Sequence, residues 1–159
     1  MVGVDTGLPN RLVGDALRAR ELTEFSMYDE VLPEQRYGEN SRIDFLLRSR
    51  GQADAYIEVK SVTLSRQQGL AEFPDSVTAR GARHLRDLAA MARQGFRATL
   101  LYVVQRPDCS VLKVARDLDP VYATAMDEAI ASGVEIASRD VSLAQDCVSL
   151  RKKVPFEQS

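Results

Sequence analysis

The sequence is short of several things, and each shortage excludes a class of protein. It has 2 cysteines and 1 histidine in 159 residues. Cys109 and Cys147 cannot make a disulfide framework or a zinc site, and one histidine excludes a multi-histidine metal centre. No apolar run approaches the ~18 residues of a membrane span. The first twelve residues lack the basic start and apolar stretch of a secretion signal. Basic residues are not in excess: 21 Lys plus Arg face 23 Asp plus Glu, a net charge of −2. A protein that coats nucleic acid by bulk charge is therefore excluded, while a local basic face is not. These absences fit a cytoplasmic domain with reduced thiols, Cys109 in a loop and Cys147 as a packed small residue.

What is present suffices for one domain over residues 1–159. Of all residues 45% are apolar and 28% charged, enough to bury a core at this length. The charge is unevenly spread. Residues 1–75 carry −4, residues 76–116 carry +6 and residues 117–159 carry −4. The middle segment, with Arg80, Arg83, Arg86, Arg93 and Arg97, is where a polyanion is welcome. Only four of the basic residues are lysine, and arginine's planar fork suits phosphate contacts.

Hydrophobic periodicity predicts a helix over residues 9–22, opened by Pro9. Strand-like runs follow over 28–36, interrupted by Pro33, then 42–47 and 55–64. Residues 69–74 read as a loop. Asp75 or Ser76 can cap a helix running to about residue 94, with Ala82, Leu85, Leu88, Ala89 and Ala92 on one stripe and Arg80, Arg83, His84 and Asp87 opposite. The apolar run 99–104 fits a strand buried on both faces. A helix from 119 or 120 to 132, a short strand at 134–137 and an irregular strand or hairpin over 141–154 complete the chain. Helix, meander, helix, strand, helix, strand implies an α/β fold: a mixed central sheet with helices on both sides.

Asp44, Glu58 and Lys60 stand out chemically. Glu58 and Lys60 are two apart in a strand and share a face, about 6.6 Å apart by strand rise. A short hairpin sets Asp44 of the preceding strand beside Glu58. Two adjacent carboxylates repel unless a cation lies between them, and oxygen ligation suits a hard ion such as Mg²⁺. Lysine beside that ion orients a water or stabilises charge on a phosphate, the arrangement needed for metal-assisted phosphodiester hydrolysis. The triplet alone is weak, since chance supplies about 0.6 acid-x-Lys triplets in a chain of this composition. The alternative is a cross-strand ion pair on a surface-facing strand.

Several ordered blocks raise the first reading. Tyr37-Gly38, Ser41-Arg42-Ile43-Asp44-Phe45-Leu46-Leu47 and Tyr56-Ile57-Glu58-Val59-Lys60-Ser61-Val62 resemble the sugar fermentation stimulation protein family. So do Phe73-Pro74-Asp75, Thr78, Arg80-Gly81, His84-Leu85 and Gly133-Val134-Glu135-Ile136. The resemblance runs from about residue 8 to residue 155. It implies a restriction-endonuclease-like core with a catalytic Asp, then Glu-x-Lys, which fall by position on Asp44, Glu58 and Lys60. It also implies DNA binding, single-stranded or structured DNA included, and regulation of sugar (maltose) metabolism. Members of the family resemble a two-domain protein with an oligonucleotide-binding barrel ahead of the nuclease-like domain; this sequence begins near the expected junction, at residues 2–6, without that barrel.

The expected metal set is Asp44 and Glu58 with Glu34 as third ligand and Glu24 as second choice for that role, around Mg²⁺ or Mn²⁺. Arg42, Arg80, Arg83 and His84 are the expected nucleic-acid contacts, with Ser41 beside them. For Arg80 and His84 the competing reading is a solvated helix face with Asp87 paired to Arg83 or His84; for Asp75 the two readings are a metal-shell role and a simple helix cap. Two functions of different class follow, a metal-dependent nuclease and a non-catalytic DNA-binding or protein-interaction module on the same scaffold.

Overall fold

Proline in the first turn and apolar residues at helical spacing give α1 (Leu8–Arg18), which buries Leu12, Val13, Ala16 and Leu17. The computed structural model describes residues 7–144 and 147–158. A short 3₁₀ turn (Thr23–Phe25) leads into a meander of three antiparallel strands: β1 (Glu30–Tyr37), β2 (Ser41–Arg48) and β3 (Ala55–Val62). Pro33 is tolerated in β1 because β1 lies at the sheet edge, where a missing N–H costs no ladder bond.

The chain then forms β4 (Leu64–Gln67) and β5 (Leu70–Phe73) and crosses by α2 (Ala79–Arg93) to β6 (Arg97–Val104), parallel to β3. After β7 (Val111–Val114) and α3 (Pro120–Ala131), β8 (Glu135–Ala144) runs parallel to β6, and β9 (Cys147–Lys153) turns back antiparallel. The main sheet has the order β1-β2-β3-β6-β8-β9. One apolar cluster joins α1 to one face through Phe45, Ile57, Leu101 and Val103. The other joins α2 and α3 to the opposite face through Leu85, Leu88, Leu100, Tyr102 and Met126. The expected mixed sheet with helices on both sides is what the chain forms. Among the described residues no helix is long and apolar enough to cross a membrane.

Three expectations need correction. The first helix ends at Arg18, not at residue 22. Arg20 takes a left-handed φ of 59°, and Glu21 and Arg20 N–H groups bond back to Ala16 and Leu17 carbonyls, the cap that α2 and α3 form with Gly95 and Gly133. An arginine at that position gives no stop signal. The loop expected at 69–74 contains β5, part of a second sheet ordered β10-β7-β5-β4, where β10 is Phe156–Glu157. Strands of two to four residues are too short to show a period and form here by packing Phe73, Leu112 and Phe156 on the core. Finally, α2 is capped by Thr78, whose side chain accepts from the Gly81 N–H, not by Asp75 or Ser76.

Candidate active site

The site lies where β2 and β3 part. Their pairing covers only Phe45–Leu47 against Ala55–Ile57. Ile43 and Phe45, two apart, fall in opposite apolar clusters, so β2 twists over at Asp44. There the Asp44 carboxylate replaces the missing backbone partner: Val59 N–H donates to Asp44 Oδ2 at 2.7 Å. Asn10 of α1 donates to Asp44 Oδ1 at 2.9 Å. These bonds stabilise the charged form, yet Asp44 has its pKa raised, first by burial and next by the charge of Glu58. Asp44 and Glu58 are thus brought together as expected.

Glu58 is 4% exposed. Its Oε1 lies 3.4 Å from Lys60 Nζ and 3.1 Å from His84 Nδ1. Lys60 Nζ lies 2.9 Å from His84 Nδ1, so lysine, histidine and Glu58 Oε1 form one cluster. Glu58 Oε2 is buried without a hydrogen-bond partner among the described residues.

His84 corrects the expected helix face. It is buried, as are Gly81, Leu88 and Met91 at helical spacing from it, so it extends the apolar stripe and points at the sheet. Its polar type alone suggests the outer face, and its place in the stripe decides otherwise. It is therefore not an exposed phosphate contact. Asp87 pairs with neither Arg83 nor His84; it accepts a hydrogen bond from Ser41 Oγ, tying the β1–β2 hairpin to α2. Gly81 permits α2 to come this close to α3, since a Cβ there meets Thr78 at 2.8 Å and the Tyr122 ring at 3.2 Å.

Arg42, Arg80 and Arg83 are exposed, as expected of nucleic-acid contacts, and so is Arg86. The +6 segment divides: Arg97, Arg106, Lys113 and Arg116 pair with Glu135, Asp108, Glu157 and Asp127, whereas Arg80, Arg83 and Arg86 have no ion pair among the described residues. Arg83 lies close enough for its charge to act on Tyr37, so this helix face adjoins the hairpin.

The third carboxylate does not join the pair. Glu34 lies opposite Asp44, between the Pro33–Phe45 and Gln35–Ile43 partners, and shares with it a groove of about 260 Å³ that Asn10 and Phe45 also line. Its left-handed φ of 53° breaks the strand's alternation at a cost of about 1–2 kcal/mol, and its side chain is exposed. Glu24 is held by Arg139 Nη2 at 2.7 and 2.9 Å and is committed to that pair. Among the described residues no three His, Cys, Asp or Glu side chains converge on one metal position. Asp75 is exposed, Cys109 is buried, and the Cys147 side chain lies outside the described residues.

Sequence reasoning passed over three further participants. Asn10 gave no signal, being one polar residue of a helix. Arg36 stands opposite Arg42 across β1 and β2, and two like charges in that position repel unless an anion lies between them. Tyr37 is 6% exposed, packs its ring at 5.6 Å and a 33° tilt against Tyr56, and has a hydroxyl without a partner among the described residues.

Residues 7–146 match the family described as sugar fermentation stimulation protein RE domain. A sugar fermentation stimulation protein homolog of Ruegeria pomeroyi is 60% identical over 133 residues, covering 84% of this chain and 58% of its own. That of Roseobacter denitrificans is 54% identical over 154 residues, covering 97% of this chain and 66% of its own. Among solved structures, Pyrococcus furiosus SfsA in complex with Ca²⁺ superimposes with a TM-score of 0.88 at 29% identity, over 97% of this chain and 66% of that one. The chain therefore spans 58 to 66% of the length of these relatives.

Proposed function

The chain belongs to the sugar fermentation stimulation protein family, and on that premise we propose that it binds DNA and hydrolyses phosphodiester bonds with a divalent cation held by Asp44 and Glu58. Regulation of sugar (maltose) metabolism is the cellular role that this reading carries with it. The supporting observation is Glu58 Oε2, a carboxylate oxygen buried beside a second carboxylate and left without a partner. A buried charge with an empty valence costs several kcal/mol unless something binds it.

The donors fit the group. Asp44 and Glu58 offer only hard oxygen atoms, which suit Mg²⁺ or Mn²⁺, and the Pyrococcus furiosus relative is a complex with Ca²⁺, an ion of the same preference. A bound cation of this kind supplies Lewis acidity at a phosphoryl oxygen. Lys60, held between Glu58 and His84, keeps an N–H to offer to charge that builds on the phosphate. Asn10 and the Val59 N–H fix the Asp44 carboxylate in place. Arg36, Arg42, Arg80 and Arg83 grip flanking phosphates, single- or double-stranded.

Incubation with single-stranded and supercoiled DNA in Mg²⁺ or Mn²⁺ tests the reading. Cleavage is expected from the wild type and is lost in Lys60→Ala and Asp44→Asn. No cleavage of either substrate with either ion overturns the catalytic part. A second reading, DNA binding without chemistry, draws on the unpaired arginines of α2: it gives equal DNA affinity in chelator and in Mg²⁺.

A further inference from the structure

Tyr37 closes β1 and enters the hairpin that Ser41 and Asp87 tie to α2. Its ring is accounted for by packing on Tyr56, which in turn meets Phe96 edge-on at 5.5 Å. Its hydroxyl is not. A buried phenol O–H without an acceptor loses its hydrogen bonds to water and recovers nothing, and proteins rarely leave such a group idle. Tyr37 packs on Tyr56, which shares its face of β3 with Glu58, and the charges of Glu58, Asp87, Asp44 and Arg83 all act on the phenol, so the hydroxyl and the orphaned Glu58 Oε2 lie on the same side of the sheet. One unpaired donor and one unpaired acceptor therefore lie on the α2 side of the sheet, near two carboxylates.

A ligand that satisfies both must present positive charge to Glu58 and an oxygen acceptor to Tyr37. A bare anion meets only the first carboxylates and is repelled. A cation that carries an oxygen acceptor meets both needs. We propose that Tyr37 Oη is a ligand-binding group of this site, donating to an oxygen that arrives on the cation held by Asp44 and Glu58. This rests on the cation reading above and extends it to a residue outside the Asp, Glu-x-Lys set. Burial and the neighbouring carboxylates push the phenol far above its ordinary pKa, so it stays a donor across the physiological range. The oxygen has two sources, a phosphate of the nucleic acid or the ion's own water, and they separate by experiment.

Tyr37→Phe keeps the ring and its packing and deletes only the hydroxyl. Two titrations are read on wild type, Tyr37→Phe and Asp44→Asn: MnCl₂ alone by calorimetry, and a labelled oligonucleotide in CaCl₂ by anisotropy. A loss of about tenfold or more in Mn²⁺ affinity assigns the oxygen to the ion's water. Unchanged Mn²⁺ affinity with a similar loss for the oligonucleotide assigns it to phosphate. Both affinities unchanged, with Mn²⁺ binding abolished by Asp44→Asn, overturns the role of Tyr37 and leaves the cation site standing. No Mn²⁺ binding by the wild type overturns both. Thermal unfolding supplies the control: the ligand-free variant is expected to melt at the wild-type temperature or above it, since it sheds an unsatisfied group. A lower Tm with unchanged binding assigns the hydroxyl to the fold and overturns the proposal.

Discussion

Asp140 on β8 and Glu58 on β3 are both buried acids of the central sheet, and their surroundings are opposite. Asp140, 0% exposed, accepts from Arg151 Nε and Nη2 and from the Lys152 N–H. Asp119 behaves likewise at the paired ends of α2 and α3: one carboxylate caps Tyr122 N–H and receives Thr78 N–H. Glu58 has one oxygen shared between lysine and histidine and one with no partner, with Asp44 beside it. Burial of an acid therefore does not mark function in this molecule. Incomplete satisfaction sets Glu58 apart: the fold supplies hydrogen bonds to both oxygens of Asp140 and Asp119, and on the proposed reading the remaining Glu58 oxygen is the one a ligand completes.

Breaking the contrast at its chemical end gives the largest effect. Lys60→Ala is expected to lower DNA cleavage by about 10²–10³-fold, the usual cost of one charge-stabilising donor, without a comparable loss of stability; single-turnover cleavage and thermal melts of the same preparation check this. Breaking it at the structural end moves stability instead. Asp119→Ala removes the cap of α3 and the acceptor of the Thr78 N–H just ahead of α2, and is expected to cost about 2 kcal/mol, read by urea unfolding, with divalent-ion affinity unchanged.

The third substitution runs the other way. Asp44→Asn keeps one oxygen to accept from the Val59 N–H and an amide N–H that Asn10 can accept once its own amide turns over, but removes a charge that the fold disfavours. It is expected to stabilise the protein by about 1 kcal/mol at pH 7, as removal of a functional strain commonly does, while it abolishes cleavage. The gain should vanish in acid. Asp44 has a raised pKa, so its contribution to stability is full below the ordinary carboxylate range and is lost as the pH rises through its folded-state value. The Arg66 network has the opposite sign: guanidinium hydrogen bonds lower the pKa of Glu72 and bring Asp117 to about 2. Its contribution is full above the ordinary range and lost as the pH falls through those values. Carbon-detected NMR titration is expected to place Asp44 above, and Asp117 below, an unperturbed aspartate. The smallest effect lies on the rim. Arg80→Ala and Arg83→Ala are each expected to weaken DNA binding and to reduce the slope of log affinity against log salt by about one unit.

The succession of main elements along the chain, the mixed sense of the sheet and its two helical layers were legible because β3, β6, α2 and α3 are long and strongly patterned. Asp44, Glu58 and Lys60 were legible because strand alternation fixes which side chains share a face. The rest depended on tertiary contacts that leave no local trace. His84 looked like a surface residue until its place in the Gly81–Leu88 stripe set it against Lys60. Arg20 ended α1 from a position where glycine is the usual signal. Glu34 and Asp44 are ten residues apart in sequence, and only the register of β1 on β2 sets them opposite each other in one groove. Tyr37 was visible as part of a motif, but an unpaired hydroxyl is a property of its surroundings and not of the residue.

Calorimetric titration of Mg²⁺ or Mn²⁺ into the wild type, Asp44→Asn and Asp119→Ala tests the contrast at its centre. Saturable ion binding in the wild type and Asp119→Ala, abolished in Asp44→Asn, is the expected result; no saturable binding in the wild type, or the same binding in Asp44→Asn, contradicts the account.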